Sequence, residues 1–172
     1  MPDRALDSLS SSFKPVVFEL LARLVERGVM ILIVQSGRTM AEHNANLASG
    51  ASGIALSKHL PRALRGITVE SDKVDAIDLC PYVLYDIAGP DKLAWDEAYR
   101  RQLSPEARAA VDATWDIIGE EAEKRASLRW GGRWHRPHDP GHVEWLFARE
   151  RHADIPMSSA AFAEHGIGEP HP

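Results

Sequence analysis

The chain has 172 residues, of which 44% are hydrophobic and 26% are charged. A chain of this size buries roughly 70% of its unfolded surface, which predicts a globular domain rather than a disordered or fibrous protein. Its 25 acidic and 20 basic residues give a formal net charge of -5, which argues against a nucleic-acid-binding protein. The single cysteine, Cys80, excludes an intramolecular disulfide and a cysteine-rich zinc knuckle, so any metal site must use histidines and carboxylates.

The first half of the chain predicts two helices and a buried strand. Apolar residues at helical spacing indicate a helix over about 13–27, with Ser12 as its cap. The apolar run over 29–34 is typical of a buried strand that ends in a turn. A short helix over 39–47 and a flexible loop over 50–53 follow.

The second half predicts two strands and a long helix. A strand is expected over 76–85, and a helix over about 105–125 that is capped by Ser104. A loop rich in glycine, proline and histidine over 130–141 leads into a short strand over 142–147. Helices mixed with antiparallel strands predict an α+β domain, with a small antiparallel sheet packed against helices.

No stretch has the apolar length of a signal peptide, and none approaches the ~20 apolar residues that cross a bilayer. We therefore expect synthesis in the cytoplasm and no membrane insertion. A single domain is expected over 1–160, acting as a monomer, with a loose C-terminal tail over 161–172.

Three segments carry potential metal ligands beside strands and turns, and they contain His59, Asp78 and His142. A helical pair of the HExxH kind, His138 with His142, is excluded because Pro140 and Gly141 break a helix there. A turn that carries Asp139 and delivers His142 to the start of a strand is favoured. Taken singly, each residue also has an ordinary interpretation, as a core or surface histidine, a paired aspartate or a turn starter.

The order of these segments resembles the M15 family of zinc peptidases. Ser36-Gly37-Arg38-Thr39 is similar to that family's Ser-Gly-Tyr-Arg-Thr segment, and it is followed by Ser-x-His, Ala-x-Asp-Leu, Trp-Gly-Gly-x-Trp and Asp-x-x-His. The family includes the L-alanyl-D-glutamate endopeptidases of phage endolysins and the D-alanyl-D-alanine peptidases. The resemblance covers residues 35–145 and implies a fold of the Hedgehog/DD-peptidase kind, with the metal at the sheet.

Carried over position by position, the resemblance implies a role for each matching residue. The implied ligands of a catalytic Zn²⁺ are two imidazoles and one carboxylate, namely His59, Asp78 and His142. Asp139 matches the general base, and Arg38 matches an arginine that contacts the substrate or the developing oxyanion. Ser57 is expected to support the His59 loop by hydrogen bonding. Trp130 and Trp134 are expected to wall the substrate groove.

The chain departs from the family pattern in several places. Residues 60–74 look like an insertion between two ligands, and we expect this charged loop to lie over the site and shape specificity. The basic cluster within it, at 62–65, is interpreted as solvated surface charge. The aromatic residue expected before Arg38 is missing. The insertion also makes Asp75 a competitor of Asp78, although Ala-x-Asp-Leu and the strand face favour Asp78.

The function that the resemblance implies is cleavage of the peptidoglycan stem peptide, between L-alanine and D-glutamate, in the manner of an endolysin. Such an enzyme reaches the cell wall after its release, once a holin opens the membrane. One alternative is a D-alanyl-D-alanine carboxypeptidase or dipeptidase on the same scaffold. A second, of another class, is a non-catalytic zinc module that binds wall peptides or another protein and works without Asp139.

Overall fold

The computed structural model describes residues 3–50, 52–82, 101–135 and 138–147. These ranges contain three α-helices, namely α1 (Phe13–Glu26), α2 (Met40–Ala48) and α3 (Pro105–Glu123). They also contain four strands, namely β1 (Ile31–Gln35), β2 (Ala76–Pro81), β3 (Leu128–Trp130) and β4 (His142–Trp145). The fold is therefore α+β, as predicted. None of the helices within these ranges is both long and apolar enough to cross a bilayer.

The four strands form one antiparallel sheet in the order β1-β2-β4-β3. All six residues of β2 are buried, which fits its position between two neighbouring strands. The β2–β4 register places Asp78 directly opposite His142, and Ile77 opposite Val143. The predicted sheet is confirmed, and two of the predicted ligands face each other across it.

The hydrophobic core lies between the sheet and two of the helices. One face of α1 is buried, and α3 contacts α1, β2 and β3. The largest buried side chains of α1 and the sheet join one apolar cluster with Val111, Trp115 and Ile118 of α3. Each such side chain contributes roughly 1.5–3 kcal/mol on burial. This packing holds the sheet, and therefore the residues that it carries, in a fixed position.

The helix ends explain why α2 and α3 begin where they do. The Ser104 side chain accepts a hydrogen bond from Ala107 N at 3.1 Å, which confirms the predicted cap of α3. Thr39 and Glu42 form a capping box at the start of α2. Ser12 stands at the start of α1, but its side chain makes no capping hydrogen bond, so that prediction was wrong.

The segment 60–74 is folded against the protein rather than projecting as a charged loop. Arg62 and Arg65 are only 3% and 8% exposed, so the interpretation of this cluster as solvated surface charge was wrong. Their guanidinium groups pair with the fully buried carboxylate of Asp75, Arg62 through both of its oxygens. Ser10 donates a further hydrogen bond to Asp75 at 2.7 Å. A buried carboxylate needs such partners, and they supply the physical reason for the burial of both arginines.

Two predicted elements reach beyond the described ranges. The strand expected over 76–85 is seen to end at Pro81, and its part from residue 83 onward lies outside the described residues. The predicted tail over 161–172 lies outside them as well.

Candidate metal centre

Asp78 and His142 come together because their strands pair in register, and His59 joins them from a loop. The loop is held at both ends of His59: its carbonyl accepts from Arg38 N at 2.9 Å, and its amide contacts the Ser57 hydroxyl oxygen at 3.3 Å. The second contact is the supporting hydrogen bond expected of Ser57. The structure thus brings together the three residues that the sequence predicted as ligands.

The three side chains converge on one point. His59 Nε2 lies 2.9 Å from Asp78 Oδ1 and 3.1 Å from His142 Nδ1, and His142 Nδ1 lies 3.1 Å from Asp78 Oδ1. All three residues are buried, at 2%, 6% and 4% exposure respectively. The ligand atoms of a tetrahedral zinc ion with bonds near 2.0–2.1 Å lie about 3.3 Å apart. The triangle is therefore close to the size that such an ion needs.

In each imidazole, the outer nitrogen, which points away from the other two side chains, lies within hydrogen-bonding distance of a group that only accepts hydrogen bonds. His59 Nδ1 lies 2.7 Å from the carbonyl oxygen of Ser36, and His142 Nε2 lies 3.1 Å from Glu144 Oε2. With a metal ion between the three side chains, each ring can keep its one proton on the outer nitrogen and offer the lone pair of the inner nitrogen to the ion. The Asp78 oxygen, on the same side, would then be the third ligand. The buried group His59, Asp78 and His142 could hold a metal ion.

The charges of the site shift the pKa values of its members. Burial raises the pKa of Asp78, but the neighbouring His59 and His142 outweigh this and hold that pKa well below its usual range. Burial lowers the pKa of His142, but hydrogen bonds to Asp78 and Glu144 outweigh it and raise the pKa to about 10. Burial raises the pKa of Glu144, but the charge of Lys58 and the hydrogen bond from His142 lower it to about 2. The site is thus strongly attractive to positive charge.

A cleft of about 480 Å³ opens on the three side chains. Arg38, Ser57 and Asp139 also line it, whereas no residue of the segment 60–74 does. The expected position of that segment over the site was therefore wrong, because its arginines pair with Asp75 instead. Asp78, not Asp75, faces the two histidines, and Asp75 pairs with Arg62 and Arg65 instead.

Arg38 is placed to meet a ligand in the cleft. Its guanidinium donates to the amide oxygen of Gln35, from Nε at 3.1 Å and from Nη2 at 2.6 Å. Within the part of the chain that the structure describes, no carboxylate forms an ion pair with Arg38. Its charge is therefore available to an anionic group in the cleft.

Asp139 lies in the turn that precedes β4, as predicted. Its amide donates to Gly131 O at 3.1 Å, and its carbonyl accepts from His142 N at 3.1 Å. A Cβ atom at position 131 would lie 2.3 Å from the Asp139 carbonyl oxygen, so the turn requires glycine there. Burial raises the pKa of the Asp139 carboxyl group; the charge of His142 opposes the rise and that of Asp78 adds to it. A raised pKa suits a group that exchanges protons near neutral pH.

Neither predicted groove tryptophan lines the cleft. Trp130 belongs to the hydrophobic core, and its indole nitrogen donates to Pro140 O at 2.8 Å. The Trp134 ring is 7% exposed and packs against the His142 ring, with 4.9 Å between ring centroids. Both tryptophans therefore pack beneath the site rather than facing the cleft. Ser57, by contrast, does line the cleft.

Two residues of the site were missed in the sequence. Glu144 is 2% exposed and contacts His142, and Lys58 is 2% exposed and lies next to His59. The alternation of a strand could have indicated Glu144, since residues two apart share a face. No comparable signal marked Lys58, because a lysine in a loop is usually solvated.

Comparisons with known proteins find similarity among solved structures. No protein-family model matches the chain, and no curated protein matches it either. Among solved structures, it is similar to the L-Ala D-Glu endopeptidase ChiX of Serratia marcescens. The identity is 16%, the match covers 84% of this chain and 90% of that chain, and the TM-score is 0.48. Likeness at this level adds nothing to what the geometry of the site supports.

Proposed function

We propose that this chain is a zinc-dependent peptidase that cleaves the stem peptide of peptidoglycan between L-alanine and D-glutamate. The observation that carries the proposal is the convergence of two imidazole nitrogens and a carboxylate oxygen within 3.1 Å of one another at the floor of a cleft. Three protein ligands are the number that catalytic zinc sites use, whereas structural sites use four. The wall-peptide substrate is taken from the resemblance of the ordered motifs to M15 peptidases.

The residues around the cleft can provide the metal site, the proton-transfer group and the positive charge that peptide hydrolysis needs. A zinc ion held by His59, Asp78 and His142 would supply Lewis-acid chemistry, acidifying water and polarising a carbonyl group. Asp139 would accept the proton of the attacking water and deliver it to the leaving amine. Arg38 would hold an anionic group of the substrate or the developing oxyanion through its permanent charge.

The test is digestion of purified peptidoglycan, with the products identified by mass spectrometry. Three samples are compared: the protein as purified, the protein after chelation, and the chelated protein with zinc restored. The proposal predicts fragments with a new D-glutamate amino terminus, which disappear on chelation and return with zinc.

The two alternatives give different products in the same experiment. Release of D-alanine alone would identify a carboxypeptidase or dipeptidase, and the proposed bond would be wrong. A folded, zinc-loaded protein that releases nothing would contradict a peptidase and favour a binding module. Asp139 lines the same cleft as the three converging side chains, where hydrolysis needs a proton-transfer group and a binding module does not.

A further inference from the structure

A buried carboxylate, Glu144, lies directly behind one of the candidate metal ligands. Residues 142 and 144 are two apart in β4, so their side chains share a face of the sheet. Glu144 Oε2 accepts a hydrogen bond from His142 Nε2 at 3.1 Å, and Glu144 is 2% exposed. Burial of a carboxylate is costly unless partners compensate it, so its position calls for an explanation.

Two cations form ion pairs with the other oxygen of Glu144. Lys58 Nζ lies 3.4 Å from Oε1, and Arg129 Nη1 lies 3.7 Å from the same atom. Arg129 stands opposite Glu144 in the β3–β4 register. Lys58 is the residue before His59, and its Nζ also donates to Trp145 O at 2.7 Å. The carboxylate thus has one oxygen for His142 and one for the cations, and Lys58 ties the His59 loop to β4.

This arrangement decides which nitrogen of His142 can bind a metal. A neutral imidazole carries one proton, and a carboxylate that is held in place can only accept it. In a His142 ring whose Nδ1 binds a metal, the proton therefore resides on Nε2 and is donated to Glu144, and the lone pair resides on Nδ1, the atom that faces His59 and Asp78. Without Glu144, both tautomers and other ring orientations become available to His142.

We propose that Glu144, anchored by Lys58 and Arg129, is a positioning residue that fixes His142 in the tautomer and orientation that bind the metal. This inference rests on the proposed zinc function, and it deepens that function by assigning a role to residues outside the triangle. Partners of metal-bound histidines typically change metal affinity or activity by about 10–100-fold when they are removed.

Two variants at position 144 separate positioning from charge. In Glu144→Ala, the hydrogen-bond acceptor is lost, and zinc affinity is expected to fall about 10–100-fold. In Glu144→Gln, an amide oxygen can still accept from His142 Nε2, so the loss is expected to be smaller. Glu121→Gln is the matched control, because Glu121 is also buried, at 4% exposure, and pairs with two cations, Arg27 and Lys124. It lies on α3 and does not line the cleft, so zinc affinity should be unchanged.

The experiment measures zinc affinity by competition with a chromophoric chelator. It also records the nitrogen-15 spectrum of the histidine rings in the wild type and the three variants. The expected spectrum shows a protonated Nε2 on His142 in the wild type and Glu144→Gln, and its loss or faster exchange in Glu144→Ala. Circular dichroism checks that each variant is folded. If Glu144→Ala does not fold, the inference is judged on the zinc affinity of Glu144→Gln and on the protonation of His142 in the wild-type spectrum.

The possible results separate the two levels of the proposal. Wild-type protein that binds no zinc overturns the proposed function and this inference with it. If the wild type binds zinc and the Glu144 variants bind it equally well, the inference alone is overturned. A wild-type His142 protonated on Nδ1 when zinc is bound also overturns the inference, whatever the affinities are.

Discussion

Asp78 and His142 are direct partners across the β2–β4 register, and their facing atoms, Oδ1 and Nδ1, lie 3.1 Å apart. The backbone hydrogen bonds of the sheet therefore set the spacing of two of the three candidate ligands before any metal binds. Only His59 depends on a loop, and that loop is held by the backbone of Arg38 and the carbonyl of Ser36. A site that is largely pre-formed loses little entropy on binding an ion.

Asp78→Asn is expected to abolish tight zinc binding while leaving the fold intact. The amide keeps the size of the carboxylate but removes the negative charge that faces both histidines. Zinc affinity should fall by more than about 100-fold, the upper end of the loss caused by removing a partner of a ligand. Chelator competition measures the affinity, with Asp72→Asn, a change at an exposed aspartate, as the control. Equal affinity in the two variants would remove Asp78 from the ligand set.

Much of the fold could be predicted because its elements carry strong local patterns. The apolar spacing predicted α1 and α3, and the apolar run predicted β1. The observed ends of these elements differ from the predicted ones by only a few residues. β3 was missed because Leu128–Trp130 is too short to show an alternation, and its pairing with β4 arises only when the chain folds. The Asp78–His142 pairing likewise needed the family motifs, since spacing alone leaves Asp75 open.

The burial of charge was the part that the sequence could not reveal. Arg62 and Arg65 look like surface residues in a linear pattern, yet Asp75 compensates both of them in the interior. Lys58 is buried for the same kind of reason, beside Glu144. Such burial depends on partners that are distant in the chain or on another face, so no local pattern predicts it.

Asp139→Asn separates proton transfer from metal binding. The amide cannot accept a proton, so hydrolysis of the stem peptide should slow by at least ~100-fold, the lower end of general acid–base contributions. Zinc affinity and the melting temperature should stay close to the wild-type values, because Asp139 is not one of the three converging ligands. Digestion rates and chelator competition are measured on the same preparation. Undiminished hydrolysis would show that another group transfers the proton.

Asp75→Asn should destabilise the protein without touching the cleft. Removing one partner of a buried ion pair costs about 3–5 kcal/mol, because Arg65 would lose its carboxylate partner and Arg62 would keep only Glu70. Urea unfolding at neutral pH measures this loss. An exposed aspartate changed in the same way, Asp116→Asn, should have almost no effect. A loss no larger than that of the control would show that the network contributes little to stability.

The same network predicts how stability depends on pH. Burial raises the pKa of Asp75, but hydrogen bonds from Arg62 and the charge of Arg65 outweigh it, so the folded pKa lies below the unfolded value of about 3.9. A depressed pKa contributes stability that is present above the unfolded value and is lost as pH falls through the folded value. Below about pH 4, the wild type should therefore lose stability more steeply than Asp75→Asn. Parallel pH profiles of the two proteins would contradict this assignment.

Gly131→Ala tests the close approach that shapes the Asp139 turn. Its new Cβ atom would lie 2.3 Å from the Asp139 carbonyl oxygen and 3.1 Å from His142 Cβ, so the turn must shift. We expect a stability loss of about 1–3 kcal/mol, as for other overpacked sites, and slower hydrolysis because Asp139 is displaced. Gly53→Ala is the matched control, since a Cβ there meets no atom within 4 Å. Thermal melts and digestion rates that are the same for both variants would show that the cleft tolerates a displaced turn.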